Sequence, residues 1–347
     1  MDHFMPRVSI VIPHYNGKDI LRDCLESLYR GVFLDFELIL VDNAGTDGSV
    51  DMVRESFPQV RILQMEKNLG FAGGCNAGIR EAGGEYICIL NNDTLHDRDW
   101  LAILVEHLDS HPETASVQPL ILSYHNRDAF DYSGGSGGFI DRYGYPFVRG
   151  RLFEVLEKNT GQYDDVRQIF WASGTAFLVR SAVLSEIGLF DEDFFAHMEE
   201  IDLHWRMHLA GCRVDIVPRS RIRHLSGWTL PPDRYLKKYL NHRNNLLMIF
   251  ANYSAGSLIR IFPVRLFLEY VSALYALLKG DWKRFGAVFA SQFYFFTHLP
   301  SVLRKHRRHQ TLRKKSDAEI TGAVMYPKAL VIQHYLKAVR RFSDLKF

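Results

Sequence analysis

The stretch EYICILNNDTL, residues 85–95, is an apolar run that stops abruptly at two amides and a carboxylate, Asn91, Asn92 and Asp93. Asn and Asp close turns by bonding their own backbone. At the carboxyl edge of a parallel sheet, where such folds bind ligands, the same residues could hold a cation. Three stretches of similar character come earlier: VIPHYNG with Tyr15, LVDNAGTDGS with Asp42, and NLGFAGGCNAG with Asn68. Singly, each is explained by a turn, by packing or by close helix approach. In order, on one sheet edge, they suggest a single polar rim. A fifth stretch, HMEEIDLHWR at 197–206, gathers three acids. Acids in a helix's first turn complement its dipole, and Asp202 stands four residues before Arg206, as an ion pair would. Those rules account for Asp202 well and Glu199 adequately, and leave Glu200 without a structural partner.

Positioning such a rim requires strands that alternate with helices. RVSIVIP, FELILVD, VRILQME and YICILNN read as four strands, continuous in apolar residues as strands buried on both faces must be. Helical spacing follows the first at 19–29, the second at 48–57, the third up to Gly83, and the fourth from Trp100. This alternation predicts an α/β fold with a doubly wound, mostly parallel sheet. Residues 123–168, rich in Gly, Tyr and Asp, read as an irregular segment; WASGTAFLV resumes a strand, and a helix over EEIDLHWRMHLAG closes at Gly211. Beyond about Pro231 the chain turns helical, apolar and aromatic, which divides it into an α/β domain over 1–232, where any catalysis is expected, and a helical, basic region over 233–347.

The net charge of +2 is unevenly spread: from Pro300 onward 12 Lys/Arg face 3 Asp/Glu, whereas residues 1–299 carry 30 against 37. A mildly acidic body with a basic tail points to a polyanionic partner for the tail. The run Phe285–Leu303 has no Lys, Arg, Asp or Glu and leads into RKHRRHQTLRKK. Apolar helices beside a basic cluster are what an interfacial anchor on anionic lipid requires; packing on the body or a homodimer is the alternative. No nucleic-acid-binding module is recognisable. The four cysteines show no metal-type spacing and read as reduced core residues. No secretory signal opens the chain, so a cytoplasmic body is expected, peripheral on the inner face of the cytoplasmic membrane.

The ordered set VSIVIPHYNG, LILVDNAGTDGS, NLGFAGGCNAGI, YICILNNDT, SGTAFLVRSAVLSEIGLFDEDFF, HMEEIDLHWR and IRHLSGWT resembles inverting glycosyltransferases of family 2, with the GT-A fold, over roughly residues 7–245. Within that family it is most similar to bacterial rhamnosyltransferase-like enzymes that build surface polysaccharides. The resemblance implies a nucleotide-diphospho-sugar donor, dTDP-rhamnose first and a UDP-hexose otherwise, and a glycan or lipid-linked acceptor. It implies a pocket for base and ribose from Pro13, Tyr15, Asp42 and Asn68, and a divalent cation, Mg2+ or Mn2+, on Asp93 with His224 as a further metal or diphosphate contact. Asn91 stands where the family often has the first Asp of Asp-x-Asp; Asn91 and Asn92 remain able to bond ribose or a metal-bound water. Glu200 falls at the second acidic position of the family's Glu-Asp pair and is expected to be the catalytic base, with Asp202 in reserve. Trp171, Glu199 and Asp202 are expected at the sugar or acceptor site. A sugar nucleotidyltransferase would carry a Gly-rich, Arg-containing loop where this chain has PHYNG. A non-catalytic nucleotide-sugar-binding assembly protein would have lost the base.

Overall fold

The computed structural model describes residues 5–225 and 234–347. The chain opens with β1 (Val8–His14), α1 (Lys18–Tyr29), β2 (Phe36–Asp42), α2 (Ser49–Ser56), β3 (Arg61–Gln64), α3 (Gly70–Glu81) and β4 (Tyr86–Leu90). Then come β5 (Thr94–His96), α4 (Trp100–Ser110), β6 (Thr114–Ser123), β7 (Gly138–Asp141), β8 (Pro146–Val148), β9 (Arg151–Leu152), β10 (Val155–Leu156), β11 (Arg167–Gln168) and β12 (Ala176–Arg180). They are followed by α5 (Ser181–Ile187), α6 (Glu199–Leu209), β13 (Arg213–His224), α7 (Tyr235–Asn252), α8 (Ala255–Leu278), α9 (Trp282–Thr297) and α10 (Leu299–Thr311). A short coda, α11 (Asp317–Val324), β14 (Met325–Tyr326) and α12 (Leu330–Tyr335), completes the chain.

The main sheet has the order β11-β13-β6-β12-β4-β1-β2-β3, with β5 on the end of β13. β1 to β4 are parallel, in register His14 to Asp42 to Gln64, so their carboxyl ends share one edge. β12 is antiparallel between β4 and β6, which makes the other half mixed. Along β1, Val8, Ile10 and Ile12 feed one apolar layer with α1, α2 and α4, and Val11 feeds the opposite layer under α3. That double burial is why these strands read as unbroken apolar runs. Helix α3 lies close on the sheet because Gly78 has no Cβ; one built there would collide with Val11 and come within 3.0 Å of Val41.

Two sequence expectations need correction. Residues 138–156 are not irregular: β7 to β10 form a small antiparallel sheet, completed by β14 parallel to β7 from the far end of the chain. Strands of two to four residues are too short to show a period, and their last partner lies far along the sequence. Nor is Phe285–Leu303 one run, since α9 ends at Thr297 and α10 starts at Leu299 with Pro300 in its first turn. The expected boundary at 232 falls within residues 226–233, outside the described residues, as does most of LSGWT.

Candidate active site

The four strand ends bring the polar stretches together. His14 and Asp42 are register partners at the edge, and both are buried. Asp42 Oδ1 accepts from the Gly45 N–H at 2.8 Å, closing the turn after β2, and a cleft of about 320 Å3 opens beside it, lined by Thr46, Asp47 and Gln64 among others. Tyr15 is 44% exposed at the same edge. Pro13 borders Gly74 of α3. Asn68 is exposed and accepts from the Gly70 N–H at 2.8 Å, holding the start of α3. The sequence reading passed over His14. Its Nδ1 accepts from Asn92 Nδ2 at 2.8 Å, and its Nε2 is buried without a partner. Burial lowers its pKa, against the raising influence of Asp47 and Asp42, so the ring is neutral.

Beyond β4, the Asn91 N–H bonds Thr175 O at 2.9 Å, and the chain turns through Asn92 and Asp93 into β5, whose Thr94 pairs with His224 at the end of β13. Asp93 is 6% exposed, with Oδ1 3.1 Å from His224 Nε2 but not in line for a directed hydrogen bond. His224 Nδ1 donates to Asp131 Oδ1 at 3.0 Å. Burial alone would lower the His224 pKa, but the two carboxylates outweigh it and raise it to about 10. The ring therefore stands as a cation between Asp93 and Asp131. Asp131, from the β6–β7 connection, is a residue the sequence reading missed.

These groups fit a hard divalent ion. Asp93 Oδ1 and His224 Nε2 stand 3.1 Å apart with a proton on the nitrogen that an incoming ion would displace, and Asp131 occupies the outer nitrogen as carboxylates do behind metal-bound histidines. Among the described residues no group of three or more His, Cys, Asp or Glu is arranged to hold a metal. A bound ion would thus need oxygens from a ligand or from water, as Mg2+ ordinarily does.

The turn that leads into the acidic cluster is tied to the start of α3. Phe195 O accepts from the Phe71 and Ala72 N–H groups at 2.7 and 3.3 Å, capping the free N–H groups at the start of α3, which follows the end of β3. Glu199 and Glu200 follow as the first two residues of α6, close enough to Cys75 of α3 that their charges add to the effect of burial in raising its pKa. The connecting turn is strained: Phe195, His197 and Met198 have φ of 64°, 69° and 73°. Helix α7 holds that turn. Asn244 Nδ2 lies 2.9, 2.9 and 2.7 Å from the carbonyls of Phe194, Ala196 and His197, and Arg243 Nη2 donates to Asp193 O and Phe194 O. Neither residue carried a sequence signal beyond being polar on the inward side of a helix.

Of the adjacent pair, Glu199 is buried, and desolvation followed by the charge of Glu200 pushes its pKa well above the usual carboxylate range. Glu200 is half-buried, with Oε2 shielded and unpartnered; desolvation raises its pKa to about 7. Of the two, Glu200 is the more exposed and its carboxyl is raised less than that of Glu199. Two other expected site residues face elsewhere. Asp202 is fully buried, bonded to Arg206 Nε at 2.9 Å and Asn252 Nδ2 at 2.7 Å; burial would raise its pKa, but Arg206, His309 and Asn252 together outweigh that and lower it. It joins α6 to α7 and is not available as a reserve base. Trp171 packs on Gly138 in the core and donates its indole N–H to Phe139 O at 3.0 Å, leaving no polar atom for a sugar.

Residues 9–188 match the family model described as glycosyl transferase family 2. The chain is 29% identical over 205 residues to the glycosyltransferase GlyG of Streptococcus pneumoniae, covering 58% of this chain and 64% of that protein. It is 23% identical over 272 residues to the N-acetylglucosaminyl-diphospho-decaprenol L-rhamnosyltransferase of Mycobacterium tuberculosis, covering 73% of this chain and 86% of that one. Among solved structures, GalNAc-T7 with UDP, GalNAc and Mn2+ superposes with a TM-score of 0.58 at 16% identity, over 85% of this chain and 58% of that chain. The mannosyltransferase PcManGT of Pyrobaculum calidifontis, with GDP-Man and Mn2+, gives 0.52 at 16% identity, over 89% and 84%. With more than half its length inside the family model and the strand order laid out above, this chain belongs to glycosyl transferase family 2 and has the GT-A fold.

Proposed function

We propose that the protein transfers a sugar, with inversion, from a nucleotide diphosphate to a hydroxyl of a glycan or lipid-linked acceptor in bacterial surface polysaccharide synthesis. The observation that carries this reading is Glu200: a carboxylate raised to a pKa of about 7 with a shielded, unpartnered Oε2, at the start of a helix whose preceding turn is bonded to the N-terminus of α3. The acceptor oxygen attacks the anomeric carbon as the bond from that carbon to the β-phosphate oxygen breaks, and Glu200 takes the acceptor's proton. Negative charge passes to the leaving diphosphate. Asp93, with His224 once its Nε2 gives up a proton, would hold a divalent cation, which would supply Lewis-acid stabilisation of that charge.

In this reading Asp42 accepts a hydrogen bond from base or ribose, Tyr15 and Pro13 give flat packing surfaces, and Asn68, Asn91 and Asn92 serve ribose or phosphate. The neutral His14 adds a buried N–H to the same rim. The mycobacterial relative, whose length this chain largely spans, favours L-rhamnose from dTDP-rhamnose as donor over a UDP-hexose, and a lipid-linked acceptor. Such an acceptor fits a protein peripheral on the cytoplasmic face of the membrane. A thermal-shift panel of nucleotide sugars, with and without Mg2+ or Mn2+, tests the reading, because a specific ligand stabilises by mass action. One nucleotide-diphospho-sugar should stand out, and only with the cation. A panel with no selective donor overturns it.

A further inference from the structure

Helix α8 is turned inside out. Its two charged residues in mid-helix face the body: Arg265 pairs with Glu269 at 2.5 Å and bonds Asn245 at 3.0 Å and Tyr145 at 2.9 Å, while Glu269 meets His242 at 2.6 Å. Both are buried, as are Ala273 and Ala276 on the same side. The large apolar residues point away. Phe267 is 64%, Leu274 56% and Leu278 77% exposed, in a stripe at helical spacing with Tyr270 and Val271. Desolvating charges is costly, so a helix of this composition would be expected to turn its apolar stripe to the core. The arrangement is consistent only if the outward stripe has an apolar partner of its own.

The stripe is part of a wider face. Tyr270 meets Phe289 of α9 with ring centroids 6.2 Å apart, and α9 adds the exposed Trp282, Phe293 and Phe296. Continuous apolar patches of this kind mark a protein or membrane partner. Charge separates the two. Over α8 and α9, residues 255–297, the chain has five Lys/Arg and two Asp/Glu. Of these, Arg265 and Glu269 are buried as a pair, and Asp281 is met by Lys238 at 2.8 Å, which leaves the face with cations in excess. Arg260 and Lys279, both exposed, bracket the stripe and can carry their charges outward past it. A two-fold pairing of copies would set these cationic rims against each other; an anionic lipid surface complements them.

We infer that the α8–α9 face docks on an anionic bilayer, with α8 lying in the plane of the interface. By length and composition α8 could cross a membrane, but its polar side is bonded to the body, so it lies on the bilayer rather than through it. The same α7 that supports α8 and α9 holds the turn before Glu199, so the docking face and the base share one rigid support. The inference deepens the reading of a lipid-linked acceptor, but it is tested without donor or acceptor, so either can fail alone.

The experiment is flotation of the full chain with phosphatidylcholine vesicles containing about 30 mol % phosphatidylglycerol, against pure phosphatidylcholine. Binding should need the anionic lipid and weaken with salt. F267E/L274E should lower partitioning at least about tenfold while the melting temperature and nucleotide-sugar binding hold. F293S, a milder change on α9, should lower it about threefold and guards against misfolding of the double variant. Wild-type protein that ignores anionic vesicles, or variants that float as well as wild type, would overturn the inference. So would a dimer in sedimentation velocity that the same substitutions split and vesicles do not compete away.

Discussion

Replacing Glu200 by Gln should disable the enzyme and stabilise the fold, for one reason. The folded-state pKa of about 7 stands above the ordinary 4.5 because the carboxylate is desolvated. The gap of roughly two and a half units, at ~1.4 kcal/mol each, bounds the cost of holding the ionised form at roughly 3 kcal/mol. Glu199 shares the strain, so the variant should recover roughly 1–3 kcal/mol. The sign follows from the raised value. The folded state binds this proton more tightly than the unfolded chain, so the contribution to stability is complete below pH 4.5 and is lost as pH rises through 7. E200Q should therefore melt a few degrees above wild type at pH 8 and alongside it near pH 4.5. Transfer should fall by roughly 10²–10⁴-fold while donor binding survives, and wild-type kcat/KM should climb through a pKa near 7 as the base ionises. The neighbouring His197 and His204 are held neutral by burial, at about 4 and about 3, so neither mimics that rise. Paired melts at the two pH values, with donor titration and product assay, decide the matter. Equal stability at both pH values with transfer intact would refute the assignment.

Other changes separate support from chemistry. Asn244→Ala frees three carbonyls of the strained turn; kcat should drop at least about tenfold with donor KM nearly constant, and folding should weaken by roughly 2–3 kcal/mol in denaturant melts. Asp131→Asn leaves His224 without its rear carboxylate, so Mn2+ affinity in the presence of donor should fall roughly 10–100-fold by calorimetry. Trp171→Ala should cost roughly 3–5 kcal/mol of stability, read by chemical denaturation, and leave donor affinity of the folded protein unchanged, as befits a core residue.

The parts of this fold legible in the sequence are those whose causes are local. β1 to β4 are continuous apolar runs because helices cover both their faces, and α3 shows its tight seat on the sheet through glycines such as Gly78. What escaped depends on partners far along the chain. His14 meets Asn92 across 78 positions and Asp131 meets His224 across 93, and no spacing rule links them. Asn244 acts on carbonyls about fifty residues earlier, through a side chain that looks like any helical amide. Arg265 and Glu269 are two charges inside an apolar helix, and an i,i+4 pair does not disclose which side of the helix faces the protein. Asp202 was legible as an ion pair by the same spacing rule, and that reading, not the catalytic one, matches its surroundings.

Electron paramagnetic resonance of Mn2+ titrated into the full chain tests the shared site most directly, with nucleotide diphosphate present or absent and with D93N beside wild type. One carboxylate and one imidazole make a weak site alone, so Mn2+ should be immobilised only when the diphosphate is added, and Asp93→Asn should abolish that signal. Tight binding without nucleotide, or binding that D93N leaves untouched, would contradict the account.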